Sequence, residues 1–388
     1  MISEVSLPCL WKFCADFLYK GWRRARQFEK RRGKSKFPAF VVVSVTNKCN
    51  LSCQGCWVSQ TSPPKELPPE TLDKIIRDAK KDGSFFFGIL GGEPILYPHL
   101  FDVIEKHPDA YFQLFTNGTL VTDEAAERMR RLGNVTPLFS VEGDEEVSDI
   151  RRGGENVFAK TFEGIERCRK RGLVIGMATS VCASNIDALA TPEFVEKAVK
   201  SGIHYLWYYI YRPVGPEPHP ELALDEERIS RLRRFIVETR SAAPIILVDA
   251  YWDHEGRAIC PGALGISHHV NPEGAMEFCP PIQFAKDNVS DHDSLDALFE
   301  NSEFLEDFRR FASETTPGCV ILEHPEKMRR FLEERSAVDT TGRGKGLEEI
   351  GKMTPLPGHH LPGKEIPESH WLYKWAKKNF FFGFGGYG

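Results

Sequence analysis

The 388-residue sequence has no apolar run of the 18 or more residues that a bilayer-spanning helix needs. Its N-terminus lacks the basic stretch, apolar core and small-residue cleavage site of an export signal. It also lacks a dominant charge: 50 Lys and Arg against 55 Asp and Glu leave −5, which argues against a polycation that coats nucleic acid. Nor does a chain this long need disulfides to complete a core, so its ten cysteines, where they cluster, point to metal in a reducing compartment. These absences predict a cytoplasmic globular protein with no nucleic-acid partner. The composition, 41% hydrophobic and 27% charged, agrees.

What is present is an alternation of strands and helices. Phe40–Val45 is a β-branched run of the kind that is covered on both faces in a parallel sheet. Further strands are expected at 85–90, 111–116, 138–141, 173–181 and 204–211. Helices are expected between and after them, at 69–81, 100–106, 122–131, 158–171, 192–200 and 225–240. Six strands each followed by a helix predict an α/β fold, a partial (β/α)6 barrel of the TIM type, with reactive groups at the C-terminal ends of the strands. Beyond residue 244 the pattern loosens. Cys260 to Cys279 reads as a hairpin around Asn271-Pro-Glu-Gly274, with helices near 294–312 and 325–335. Residues 339–369 read as a Gly/Pro-rich linker, and 371–388 as a short aromatic-basic helix with a Gly/aromatic tail.

Cys49-Asn-Leu-Ser-Cys53-Gln-Gly-Cys56 follows the first strand directly. Spacings of three and two let one loop wrap three corners of a cubane and leave the fourth iron without a protein thiolate. A zinc site or three incidental thiols are the alternatives. Zinc usually takes four ligands in paired spacing, and the nearest histidine is as far along the chain as His99.

Further short motifs stand after successive strands. They are Gly91-Gly-Glu-Pro94, Phe115-Thr-Asn-Gly118, Ser140-Val-Glu-Gly143 with Arg151-Arg-Gly-Gly154, and Ser180. Together with the triplet, this order over residues 38–240 resembles the radical S-adenosylmethionine (SAM) superfamily. The resemblance implies a [4Fe–4S] cluster on Cys49, Cys53 and Cys56. It implies SAM contacts at Gly91, Gly92, Glu93, Asn117, Ser140, Glu142, Arg152 and Ser180. It also implies reductive cleavage of SAM to a 5′-deoxyadenosyl radical that takes hydrogen from a substrate. One departure stands out: the family often has an aromatic residue before the third cysteine, flanking adenine, where this chain has Gly55.

Cys260, thirteen residues, then Gly274-x4-Cys279, with Cys319 beyond, is similar to a shortened SPASM or twitch extension. That implies a second, auxiliary [4Fe–4S] cluster on Cys260, Cys279 and Cys319. Two buried hairpin thiols with no cluster are the plainer alternative. Cys9, Cys14, Cys168 and Cys182 have no metal spacing and read as packing residues.

Residues 5–31 read as an amphipathic helix carrying Leu10, Trp11, Phe13, Phe17, Leu18 and Trp22, and residues 20–36 hold nine Lys or Arg against Glu29 alone. Peripheral membrane contact through both termini, or packing of both against the barrel with one plugging its open bottom, are the two readings. The expected organisation is therefore 1–37 basic helix, 38–243 barrel, 244–338 auxiliary-cluster region and 339–388 linker with aromatic tail. The expected substrate is a lipid, an isoprenoid, a cofactor precursor or a peptide, and the expected electron donor a flavodoxin or ferredoxin. Peptide maturation and a non-catalytic iron–sulfur protein are the other functions weighed.

Overall fold

The computed structural model describes residues 4–380; residues 381–388 of the aromatic tail lie outside the described residues. Nine strands form one sheet in the order β7-β6-β5-β4-β3-β2-β1-β8-β9. The strands are β1 (Phe40–Ser44), β2 (Phe86–Leu90), β3 (Tyr111–Thr116), β4 (Val135–Ser140), β5 (Gly176–Val181), β6 (Tyr205–Ile210), β7 (Ile246–Val248), β8 (Ser267–Val270) and β9 (Met276–Glu277). All neighbours from β7 to β8 are parallel, and only β9 runs antiparallel, to β8. Consecutive strands lie side by side, the arrangement that repeated βα units produce. This is the expected partial barrel, widened by β7 and β8. A small separate ribbon pairs β10 (Phe284–Ala285) with β11 (Val338–Asp339).

Local chemistry explains most boundaries. All five residues of β1 are buried, as expected of a Val-rich run covered on both faces. The barrel helices are α3 (Pro69–Lys81), α4 (Leu100–Glu105), α5 (Asp123–Leu132), α6 (Glu145–Arg152), α7 (Val157–Lys170), α8 (Ile186–Leu189), α9 (Pro192–Lys200) and α10 (Glu226–Thr239), preceded by α1 (Leu7–Lys12) and α2 (Lys20–Arg31). Helix α5 starts where the Thr122 hydroxyl accepts from Ala125 N at 3.1 Å and ends on Gly133 in the left-handed conformation. Helix α6 was not expected. Only eight residues long, it is capped by Asp144, whose carboxylate accepts from Val147 N at 3.0 Å.

The N-terminal helix closes the floor of the barrel. Helices α1 and α2 are joined by a π-helical stretch, Phe13–Tyr19. Ser6 N donates to Gly172 O at 2.8 Å, Lys20 Nζ to Asp109 O at 2.5 Å, and Arg24 Nε to Ala39 O at 3.1 Å. Each acceptor lies just before a strand, so the helix crosses the N-terminal ends of the strands. Phe17 packs on Phe86 and Tyr111, with ring centroids 5.1 and 5.5 Å away.

Beyond the barrel follow α11 (Leu295–Asn301), α12 (Glu303–Thr315), α13 (Val320–Glu323), α14 (Pro325–Glu334), α15 (Gly346–Gly351) and α16 (Trp371–Asn379). The expected hairpin is present, with His269 opposite Glu277. A second apolar core forms here, its rings Phe278 and Phe308 stacked at 4.0 Å and Phe311 and Phe331 at 4.5 Å. The expected linker contains α15 and is tied down. Leu356 N donates to Leu322 O at 2.9 Å, and His359 lies 2.9 Å from Ile259 O. A buried ion cluster then anchors α16: Asp249 meets Arg240 at 2.7 Å, Lys377 at 2.8 Å and Arg233 at 3.1 Å, and Glu368 meets Arg233 at 2.8 Å.

Candidate functional site

The cysteine loop leaves β1 at the C-terminal mouth of the barrel, where its backbone is held by the neighbouring loops. Gly92 N donates to Thr46 O at 2.7 Å, Glu93 N to Lys48 O at 2.8 Å, and Gln54 N to Arg151 O at 2.9 Å. This contact demands glycine: a Cβ on Gly92 would fall 2.3 Å from Lys48 O, and one on Gly153 would fall 2.0 Å from Ser52 O. The paired glycines after β2 and the glycine after the two arginines are thus explained by close backbone approach to one loop.

A cavity of about 450 Å³ opens beside that loop. It is lined by Cys49, Cys53 and Cys56, and by Gly91, Gly92, Asn117, Ser140, Glu142, Arg152 and Ser180. The expected site residues therefore meet on one wall set, with a single exception. Glu93 sits behind the wall, fully buried; its carboxylate accepts from Asn117 N at 2.7 Å, Thr116 Oγ1 at 2.8 Å and Ile95 N at 3.2 Å. Burial raises it to about 7 in spite of these bonds. In this arrangement Glu93 braces the loop after β3.

Asn117 ties that loop to the cysteine loop, its Nδ2 donating to Asn50 Oδ1 at 2.9 Å. Glu142 is the hub of the opposite wall. It accepts from Arg152 Nη2, from Ser180 N at 3.1 Å and from Asn185 Nδ2 at 3.3 Å. Arg152 in turn reaches Cys53 Sγ with Nη1 at 3.9 Å. Burial opposes the Arg152 charge, but Glu142 and the Cys53 sulfur outweigh it, so the guanidinium is held above its usual value.

Three observations test the fit to an iron–sulfur cluster with SAM. Burial, then the Cys53 sulfur, pushes Cys56 up to about 12, and burial also raises Cys49, so apolar surroundings alone leave these thiols protonated. Arg152 supplies the positive charge that a set of thiolates calls for. Its Nε is buried without a hydrogen-bond partner among the described residues. Among the described residues no three His, Cys, Asp or Glu side chains converge on one ion position. A cubane, whose irons stand at separate corners, does not ask for that. The residues fit the group.

Two aromatic cavity residues stand outside the expected site set. Tyr211, at the end of β6, lines the cavity under the Arg151 guanidinium, 5.1 Å from the ring centroid. Its hydroxyl would lie 1.8 Å from a Cβ on Gly55, which explains why the aromatic before the third cysteine is replaced by glycine. The signal lay in the run Trp207-Tyr-Tyr-Ile-Tyr211, but only Tyr211 opens on the cavity. Trp207 and Tyr208 are core. Trp57 is the second, lining both this cavity and an adjoining one of about 220 Å³. In that smaller cavity Ser44 Oγ lies 2.8 Å from His269 Nε2, and His269 Nδ1 lies 2.7 Å from Glu277.

The second cysteine set also comes together. Cys260, Cys279 and Cys319 arrive from three separate segments and line one small cavity with Arg212. Burial, first of all, raises Cys260 to about 11 and carries Cys279 well above its usual value; the neighbouring thiols add to both shifts.

The radical SAM superfamily model matches residues 43–187. The chain is 28% identical over 197 residues to the AdoMet-dependent heme synthase of Methanosarcina barkeri, covering 50% of this chain and 56% of that protein. It is 26% identical over 231 residues to the sporulation killing factor maturation protein SkfB of Bacillus subtilis, covering 57% and 54%. The chain thus spans little more than half the length of these relatives. Among solved structures, Streptococcus suis SuiB bound to S-adenosylmethionine superposes with a TM-score of 0.62 at 17% identity, covering 74% of this chain and 72% of SuiB. That likeness concerns the fold.

Proposed function

We propose, from the match of residues 43–187 to the radical SAM superfamily model, that this chain is a SAM-cleaving enzyme with a [4Fe–4S] cluster on Cys49, Cys53 and Cys56. The observation that carries the reading is the cavity those three thiols share with Gly91, Gly92, Asn117, Ser140, Glu142, Arg152 and Ser180. When bound, such a cluster supplies one electron for reductive cleavage of SAM to a 5′-deoxyadenosyl radical.

The chain's own residues hold and orient. The Gly91–Gly92 backbone, pressed on the cysteine loop, leaves room at the loop for a ligand's amino group. Asn117 keeps the loop after β3 docked, and Glu142 fixes Arg152 and the end of β5 at Ser180. Arg152 offsets negative charge at Cys53. Trp57, Phe115 and Tyr211 give the cavity its aromatic faces and would restrict water there.

Cys260, Cys279 and Cys319, with Arg212 beside them, support a second [4Fe–4S] cluster in the same chain. We take the electron donor to be a flavodoxin or ferredoxin. The substrate is an organic molecule, with a cofactor or lipid precursor as the first class to try. A peptide is the second reading, favoured by the named role of SkfB.

The test is anaerobic reconstitution, followed by iron analysis and product detection with a chemical reductant. We expect about eight irons per chain, two cubanes of four, and release of 5′-deoxyadenosine. Cys53→Ala should retain about half the iron and form no 5′-deoxyadenosine. Undiminished 5′-deoxyadenosine from that variant overturns the reading.

A further inference from the structure

We propose that the floor of the barrel docks on an anionic phospholipid surface, through the N-terminal helix and α16 together. Nine large hydrophobic residues are exposed among the described residues, and six of them lie on these two elements: Leu7, Trp11, Tyr19, Trp371, Leu372 and Trp375. Leu7 is 81% exposed, Trp11 70% and Trp371 71%, far more than rings that merely skirt a core. A concentration of this kind at one end of a molecule marks a binding face, and tryptophans are suited to the boundary between headgroups and acyl chains.

The two elements touch. Phe17 and Phe380 bring ring centroids to 6.1 Å, and a crevice of about 230 Å³ lies between α2 and α16. Arg26, Lys30, Lys378 and Asn379 line it, with Glu29 as its only acid. Glu29 is paired with Arg32 at 3.6 Å, while Arg26 rests over the Trp22 ring at 4.8 Å. The other acids of the helix are engaged as well: Asp16 meets Lys20 at 2.7 Å, and Glu4 meets Arg169 at 3.7 Å. The crevice is therefore cationic, of a size for a phosphate headgroup, with exposed aromatic side chains on α16 and on the segment that leads into α2.

Charge decides the occupant. A second copy docking by the same face would set Arg26, Lys30 and Lys378 against their own counterparts, because a two-fold interface is self-facing. An anionic bilayer meets both the cations and the rings. The geometry is also compatible with catalysis. The floor lies at the N-terminal ends of the strands, opposite the cysteine loop, so docking leaves the mouth open to the aqueous side.

The experiment is flotation of the full-length chain with vesicles of phosphatidylcholine alone and with vesicles in which a third of the lipid is phosphatidylglycerol. We expect flotation with the anionic vesicles only, weakened by salt and not by competing inorganic phosphate. Arg26→Glu and Lys30→Glu should each lower the partition coefficient about fivefold or more. The triple change Trp11→Ser, Trp371→Ser, Trp375→Ser should abolish it. All five positions lie on the surface, and an unchanged thermal transition checks folding. Three results overturn the proposal: no flotation, equal flotation of the variants, or a solution dimer that the tryptophan changes dissolve. Stripping by inorganic phosphate alone would reassign the crevice to a free anion and overturn it too.

Discussion

Arg212 Nε lies 3.2 Å from Cys319 Sγ, and the same guanidinium reaches Tyr251 Oη with Nη1 at 3.4 Å. It comes from the loop after β6, whereas Cys319 caps α13 more than a hundred residues later. Burial opposes the arginine charge, yet its surroundings, Tyr251 and Cys319 foremost, hold it above its usual value. A cation among three thiols matches the negative charge of thiolates holding a cluster.

If Cys260, Cys279 and Cys319 hold the proposed second cluster, Arg212→Met should weaken that site selectively. A charge-assisted hydrogen bond contributes roughly 1.5–3 kcal/mol, enough to lower occupancy after gel filtration. We expect iron to fall from about eight toward about four per chain, with 5′-deoxyadenosine formation retained and Arg212→Lys intermediate. Unaltered iron together with an unaltered midpoint in an EPR redox titration would count against this role.

Gly92→Ala tests the contact between the loops after β1 and β2. Its Cβ would fall 2.3 Å from Lys48 O, a backbone atom with little freedom to retreat. Overpacking of this kind costs about 1–3 kcal/mol. SAM affinity measured by equilibrium dialysis should drop at least tenfold, and the melting temperature should fall by several degrees.

Tyr211 fills the space over Gly55 in the cavity, so on the proposed function its ring is the one to test for an aromatic contact to SAM. Tyr211→Ala should weaken binding of both SAM and 5′-deoxyadenosine about tenfold, an aromatic contact of roughly 0.5–1.5 kcal/mol beyond area burial. Free methionine should bind as before, and Tyr211→Phe should behave as wild type. A uniform loss for all three ligands would mean that the ring only supports the fold.

The cluster anchoring α16 buries three cations, Arg233, Arg240 and Lys377, with two carboxylates, Asp249 and Glu368. Burial opposes the Asp249 charge, but Arg240, then Lys377 and Arg233, hold its pKa well below the usual carboxylate range. Its stabilisation is thus fully present above about pH 4 and is lost as the pH falls through the depressed value. Asp249→Asn should cost about 3–5 kcal/mol, since it leaves buried cations uncompensated. Lys377 behaves oppositely, because burial lowers it to about 8. Between about pH 8 and 10.5 the unfolded chain holds a proton there that the folded chain has released, so stability rises with pH in that window. Lys377→Met should remove that rise in urea unfolding curves and cost less than Asp249→Asn.

Much of the barrel was legible along the chain. The strand 111–116 and the helices 69–81 and 192–200 stand at their expected positions, because periodicity and flanking Pro or capping residues act within a few residues. The eight-residue α6 was missed, its paired arginines Arg151 and Arg152 reading as a motif instead. The stretch 339–369 reads as a linker because its anchors, Leu322, Ile259 and the buried Arg233 and Arg240, lie far away in sequence.

What the sequence alone determined is the cysteine loop and its place after β1, since a spacing of three and two within eight residues is a local property of one turn. Only the tertiary structure decided that Cys319 joins Cys260 and Cys279, that Glu93 turns behind the wall, and that Tyr211 fills the space over Gly55. Those outcomes rest on contacts between distant segments. They are selected by packing and by the cost of burying charge, which no stretch of residues expresses by itself.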